Sequence, residues 1–353
     1  MGPRQGLPVM ANSHTEDHAQ LQREKPRGTA IKPYPLPPAS FVPSEAEDEE
    51  LSYYGLPSQQ AGRFNPAATA FRRSFLLPPR GGGPLRFLLA QDPTMIAPPP
   101  GIRPIAAIAS WPIQKSVNWS GGYVVPSGGR SFASVMGRWT VPAVSRPFGS
   151  TAQEFRSSTW IGLDGQRLYL DSSLPQIGTG QKWLTAPYAG AEYTAWFQWW
   201  ARGQDNPPED LPLPVDAGHE ISAIITVLDD RTVRFNLKNE TLGIILQAFN
   251  ASAPAPCRIS GATAEWIMER PSPMGSDGWD AYPLPDYSPF AFTGCVAESI
   301  APGGVSLQDH DLDSARLIRM YEIIANPPGT RTISTAQRVL EPAQRLELTR
   351  ITA

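Results

Sequence analysis

Apolar and polar residues alternate with period two along most of the chain after residue 110. Glu220-Ile221-Ser222-Ala223-Ile224-Ile225-Thr226-Val227 and Thr232-Val233-Arg234-Phe235-Asn236-Leu237 are the clearest runs. Successive side chains of a strand point to opposite faces, so such runs predict strands with one buried face. Asn118 to Val125 reads as a strand ended by Pro126-Ser127-Gly128-Gly129, and Phe132 to Val141, Ser158 to Asp164 and Glu192 to Trp200 read likewise. Ala262 to Met268, Phe290 to Phe292 and Leu317 to Ile323 follow. Pro342 breaks the apparent helix over residues 336–348 into strand, turn and strand. Many short strands joined by turns predict an all-β antiparallel sandwich of the jelly-roll, concanavalin A-like kind.

Two of these strands carry aromatic residues on both faces. In Glu192 to Trp200, Tyr193, Ala195, Phe197 and Trp199 share one face, and Thr194, Trp196, Gln198 and Trp200 the other. One face belongs to the core and the other to a groove. In Ser158 to Asp164, Ile161 and Leu163 suit the core, which turns Trp160, Gly162 and Asp164 to the groove. In Ala264-Glu265-Trp266-Ile267-Met268-Glu269 the two glutamates share a face with Cα atoms ~13 Å apart at strand rise. A Glu inside an apolar strand is either a buried carboxyl with a task or part of a wet sheet face, and periodicity leaves both open.

Composition divides the 353 residues near position 110. All ten Trp lie at or after Trp111, whereas 18 of the 39 Pro lie before it. Residues 1–110 also hold the acidic run Ser44 to Glu50 and a Pro/Gly-rich stretch from Leu77 to Pro84. Such sequence buries little apolar surface, so we expect a largely disordered extension over 1–110 and a folded domain over 111–353. Within the extension, Phe75-Leu76-Leu77 and Phe87-Leu88-Leu89 are short apolar pieces able to dock, although a solvated linker is the simpler expectation.

The net charge of −3 gives no basic field for nucleic acid, and no apolar stretch reaches the ~18–20 residues of a membrane span. The first residues lack the ~7–15-residue apolar core of a secretory signal. The expectation is a soluble monomer that is cytoplasmic or exported unconventionally. Cys257 and Cys295 permit one disulfide or two buried thiols.

Familiar catalytic motifs are missing: no G-x-S-x-G, Walker A, dinucleotide fingerprint or H-E-x-x-H occurs. Two of the four histidines, His14 and His18, fall in the extension, leaving His219 and His310, whose neighbours do not suggest a nucleophile–base pair. An enzyme here is expected to work without histidine.

The ordered set Asn118-Trp119-Ser120-Gly121, Trp160 to Gly165, Pro175-Gln176-Ile177-Gly178, Tyr193 to Trp199 and Ala264 to Glu269 resembles the glutamic peptidase family, the eqolisins. The resemblance runs over about residues 112 to 352. It implies a sandwich of two bent sheets with the active site on the concave face, a polypeptide substrate, and no metal or organic cofactor. Carried over by position, Gln176 and Glu265 match the catalytic pair. Trp119, Trp160, Asp164 and Trp196 match groove-lining residues, and Thr194, Gln198, Trp200 and Glu269 join them as candidate substrate contacts. The family also has an N-terminal propeptide, a part residues 1–110 could play. This chain departs at Gly180, Thr194 and Gln198, where the fungal enzymes are acidic, and at Leu170, where they have a disulfide cysteine. Two rival readings remain: a carbohydrate-binding or lectin-like sandwich using the tryptophans for stacking, and a glycosidase pairing Glu265 with Asp164 or Glu269.

Overall fold

The structure, a computed structural model, describes residues 29–90 and 113–352 apart from 63, 167–172, 186, 188, 203, 205, 274–280, 305 and 326. The His14–His18 motif, Leu170 and the composition boundary near residue 110 lie outside the described residues.

Strands dominate, as the alternation predicts, and nineteen of them form one continuous hydrogen-bonded sheet folded over on itself. One half runs, in order of pairing, Glu209–Leu211, Gly190–Ala201, Ser173–Leu184, Glu154–Leu163, Ala264–Glu269, Trp119–Val124 and Arg316–Ala325, all antiparallel. The other half contains Thr232–Asn239, Glu220–Asp229, Ser131–Thr140 and Phe290–Ile300, again antiparallel. Pro328–Val339 and Arg345–Arg350 carry the ladder from one half to the other. Pro342 lies in the turn between those two strands.

Three apolar layers result. The main core lies between the two halves and takes Ile161, Leu163, Ala195, Phe197, Trp199 and Trp266. Trp119, Tyr123, Trp160, Leu174, Trp196, Trp200, Ile267 and Ile318 form a second cluster on the other face of the first half. The two-faced aromatic strands therefore divide their side chains between the main core and this second buried cluster, as alternation requires. Neither Cys257 nor Cys295 is in a disulfide, and both are buried.

The third layer corrects the expectation of a disordered extension. Residues 29–90 contain helix α1, Asp48–Tyr53, helix α2, Pro66–Phe75, and short strands Ile31–Pro33 and Arg86–Leu88 that pair with the second half. Leu51, Ala68, Phe71, Phe75 and Leu76 pack on Met136, Ile224, Ile245 and Val296, the outer face of that half. The Phe75-Leu76 piece docks, and Leu88 packs against the main core.

Polar anchors, one of them half-buried, hold α2 at both ends. Asp309 Oδ2 accepts the free first-turn amides of Ala67 and Ala68 at 2.7 and 3.3 Å. Lys238, fully buried, donates to the carbonyls of Phe75 at 2.9 Å and Leu77 at 2.7 Å and pairs with Glu240 at 2.6 Å. Glu298 accepts from Asn65 Nδ2 at 2.7 Å, Ser134 Oγ at 2.7 Å and the Arg72 guanidinium. Composition misleads here because a few apolar residues at helical spacing, backed by satisfied buried charges, suffice to dock a segment poor in apolar surface.

Candidate active site

Register places the two proposed catalytic residues. Glu265 is the Cα partner of Gly162, and Gly162 is the Cα partner of Gln176. Gln198 continues the row beyond Gln176, and Tyr123 continues it beyond Glu265. Cross-strand partners share a face, so Gln176 and Glu265 stand on the same side, two strands or ~9.5 Å apart at the backbone. Between them is a residue with no side chain. A Cβ on Gly162 would meet Leu174 Cδ1 at 2.7 Å and Trp160 Cζ3 at 2.9 Å, so only glycine fits there.

Both members of the pair are fully buried. Among the described residues neither carboxyl oxygen of Glu265 has a hydrogen-bond partner, nor does Gln176 Oε1. Burial pushes the Glu265 carboxyl up to about 8, and the charge of Asp164 adds to this. The Thr263 side chain and the amides of Gly165 and Gln166 lie close enough to favour the anion without reaching bonding geometry, and burial outweighs them. Trp266, the sequence neighbour, faces away into the main core, where its indole N–H donates to Met136 O at 2.8 Å.

The amide of Gln176 is oriented by its neighbours. Its Nε2 donates to Gln198 Oε1 at 2.8 Å, and Gln198 Nε2 donates to the Asn206 carbonyl at 2.8 Å.

Glu269 is on the same face of its strand as Glu265 and is equally buried, but it is fully partnered. Its oxygens accept from Trp119 Nε1 at 3.0 Å, Asn118 Nδ2 at 3.3 Å and Trp160 Nε1 at 2.8 Å. Burial raises its pKa to about 8 against those donors. Glu269 thus fixes two groove tryptophans, whose rings meet edge-on at 5.1 Å.

The other candidates divide. Trp119, Trp160, Trp196 and Trp200 share one apolar cluster beside the pair. Trp196 Nε1 has no hydrogen-bond partner among the described residues. Thr194 is exposed, opposite Gly180 on the same face. Asp164 is assigned differently from the expectation of a substrate contact. At a left-handed φ of 69°, its carboxylate accepts from the amides of Ser260 at 2.6 Å, Gly261 at 3.2 Å and Ala262 at 2.6 Å, and from Ser260 Oγ at 2.9 Å. It ties the 260–262 loop to the end of the Gly162 strand, and burial raises its pKa against those donors.

Sequence reasoning gave no role to Asn118, Tyr123 and Asn206. Asn118 adjoins Trp119 and was findable as a neighbour, whereas Asn206 acts through a backbone carbonyl and leaves no side-chain signature. His219 and His310 are both committed to structural contacts, with Asn239 and Ser299 respectively. Among the described residues no cluster of His, Cys, Asp or Glu could hold a metal ion, and no helix is long and apolar enough to cross a membrane.

A sequence profile of the Peptidase A4 family matches residues 117–327, and the chain belongs to that family, the glutamic-type endopeptidases known as eqolisins. The fold is similar to that of scytalido-glutamic peptidase with a transition state analog inhibitor, at 20% identity and a TM-score of 0.50, covering 67% of this chain and 98% of that one. A complex of SCP-B, an eqolisin, with the tripeptide Ala-Ile-His aligns at 20% identity, TM-score 0.47, over 67% and 98%. No curated protein matches the chain.

Proposed function

We propose that Glu265 and Gln176 are the catalytic pair of this peptidase, acting on polypeptide bound across the tryptophan-lined face. The carrying observation is the shared row: a carboxyl and a primary amide flank Gly162, with three of their polar atoms unpartnered among the described residues. Buried polar atoms without partners are uncommon and expensive, and they are tolerated where substrate or water completes them.

In this reading the ionised Glu265 takes a proton from a water, whose oxygen attacks the scissile carbonyl. The carbonyl oxygen becomes an oxyanion and accepts from the N–H of Gln176 not used by Gln198. Glu265 then passes its proton to the leaving amine as the C–N bond breaks, and the carboxylate is restored. Trp119, Trp160, Trp196 and Trp200 hold apolar side chains of the substrate, and Thr194 touches it at the rim.

The two-carboxylate alternative has less support. Asp164 spends both oxygens on the 260–262 loop, and Glu269 is saturated by indole and amide donors. The test is proteolysis of an unfolded protein by Glu265→Gln and Gln176→Ala. Loss of the base is expected to cost roughly 10²–10⁴ in rate and loss of the donor roughly 10²–10³. Melting curves show that each variant is folded. Near-wild-type cleavage by either variant overturns the assignment.

A further inference from the structure

We infer that Gln198 is a positioning residue that fixes which end of the Gln176 amide serves the reaction, with the Asn206 carbonyl as its anchor. The inference rests on the role proposed above for Gln176. A backbone carbonyl only accepts hydrogen bonds, so the end of Gln198 facing Asn206 must be its NH2, and it donates at 2.8 Å. The Gln198 oxygen is thereby turned toward the adjoining strand, where Gln176 is its direct Cα partner. That oxygen accepts from Gln176 Nε2 at 2.8 Å. A flipped Gln176 would set two amide oxygens against each other with both side chains fully buried, where an unmade hydrogen bond is costly. Asn206 is held in turn by its side-chain amide, which donates to the Trp199 carbonyl.

The chain of three amides therefore has one direction. One N–H of Gln176 is spent on Gln198, and the second is held ready as an oxyanion donor. Few side chains satisfy both neighbours of position 198. Alanine gives Gln176 no acceptor. An ionised carboxylate accepts from Gln176 but opposes the Asn206 carbonyl. A protonated carboxyl does both jobs, donating through O–H and accepting through C=O. Among the described residues, the titratable side chains on this row and on the strand paired with that of Gln198 are Glu265, two strands from Gln176, Tyr123 beyond it, and Glu209 and Asp210 of the Glu209–Leu211 strand.

The experiment measures kcat and KM separately on oxidised insulin B chain for wild type, Gln198→Ala, Gln198→Glu, Gln176→Ala and the Gln176→Ala/Gln198→Ala double variant. A loose catalytic group costs rate more than binding, so Gln198→Ala is expected to lose roughly 10- to 100-fold in kcat with KM within about twofold. The double variant is expected to be no slower than Gln176→Ala alone, because Gln198 acts only through Gln176. Gln198→Glu is expected to gain a new pH limb in kcat, active when its carboxyl is protonated and slow when ionised. This readout remains if Gln198→Ala fails to fold, and a general packing role would not produce it. Wild-type kcat in Gln198→Ala, multiplicative losses in the double variant, or a wild-type pH profile for Gln198→Glu overturns the inference. Full activity of Gln176→Ala instead removes the catalytic pair itself.

Discussion

Glu265 and Glu269 lie on the same face of one six-residue strand, both fully buried, yet among the described residues Glu269 accepts three hydrogen bonds and Glu265 none. The strand thus carries one carboxyl that organises side chains and one held open.

This contrast predicts how stability responds to pH. Burial raises both carboxyls from 4.5 to about 8. Between those values the folded chain binds protons that the unfolded chain has released. Each group's stabilisation is therefore full below about 4.5 and is lost as pH climbs through 8, at up to ~1.4 kcal/mol per pH unit. Glu265→Gln is expected to melt like wild type in acid and higher than wild type above pH ~8, because it cannot become a buried anion. Glu269→Gln is expected to lose about 1–3 kcal/mol even in acid, since its NH2 would face indole donors. Thermal melts in acid and in alkali separate the two, and equal responses would contradict the partner assignment.

The same burial bears on rate. A general base must be ionised, so kcat/KM is expected to rise with pH along a limb near 8. A pH–rate profile on an unfolded protein checks this, and a limb at the ordinary carboxyl value would mean that Glu265 is solvated in the working enzyme.

A chain beginning at Ile113 is expected to be insoluble. Removing residues 29–90 uncovers Met136, Ile224, Ile245 and Val296, takes the Phe75 and Leu77 carbonyls from buried Lys238, and takes the Asn65 and Arg72 donors from buried Glu298. Arg72→Ala in the full chain, which breaks one buried pair, is expected to cost about 3–5 kcal/mol in urea unfolding. A soluble truncated chain with a cooperative melt would show that this layer is dispensable.

Much of the groove was legible in the sequence because period-two alternation leaves only two faces to choose between. Trp196 and Phe197 had to part, and they did. The Ser173–Leu184 strand was not legible as a strand, since Pro175, Gly178 and Gly180 read as turn residues. Gly178 is small for a packing reason: a Cβ there would meet Trp160 Cβ at 2.5 Å. Helix α2 hid in Pro- and charge-rich sequence, although Pro66 at its first turn and Ala68, Phe71 and Phe75 at helical spacing mark it in retrospect. The tie between Asp164 and the loop amides at 260–262 was not legible, because no strand pattern reveals it.

The anchor between Asn65 and Glu298 joins residues 233 positions apart. At a synthesis rate of about 5–20 residues per second, Asn65 is made roughly 10–50 s before its partner exists. Helix α2, ten residues long, is too short to persist alone in water, and most of its docking surface lies on strands made after it. Of the three apolar layers, the one made before the other two is therefore among the last to find its place. During that interval its apolar face is a client for whatever holds nascent chains.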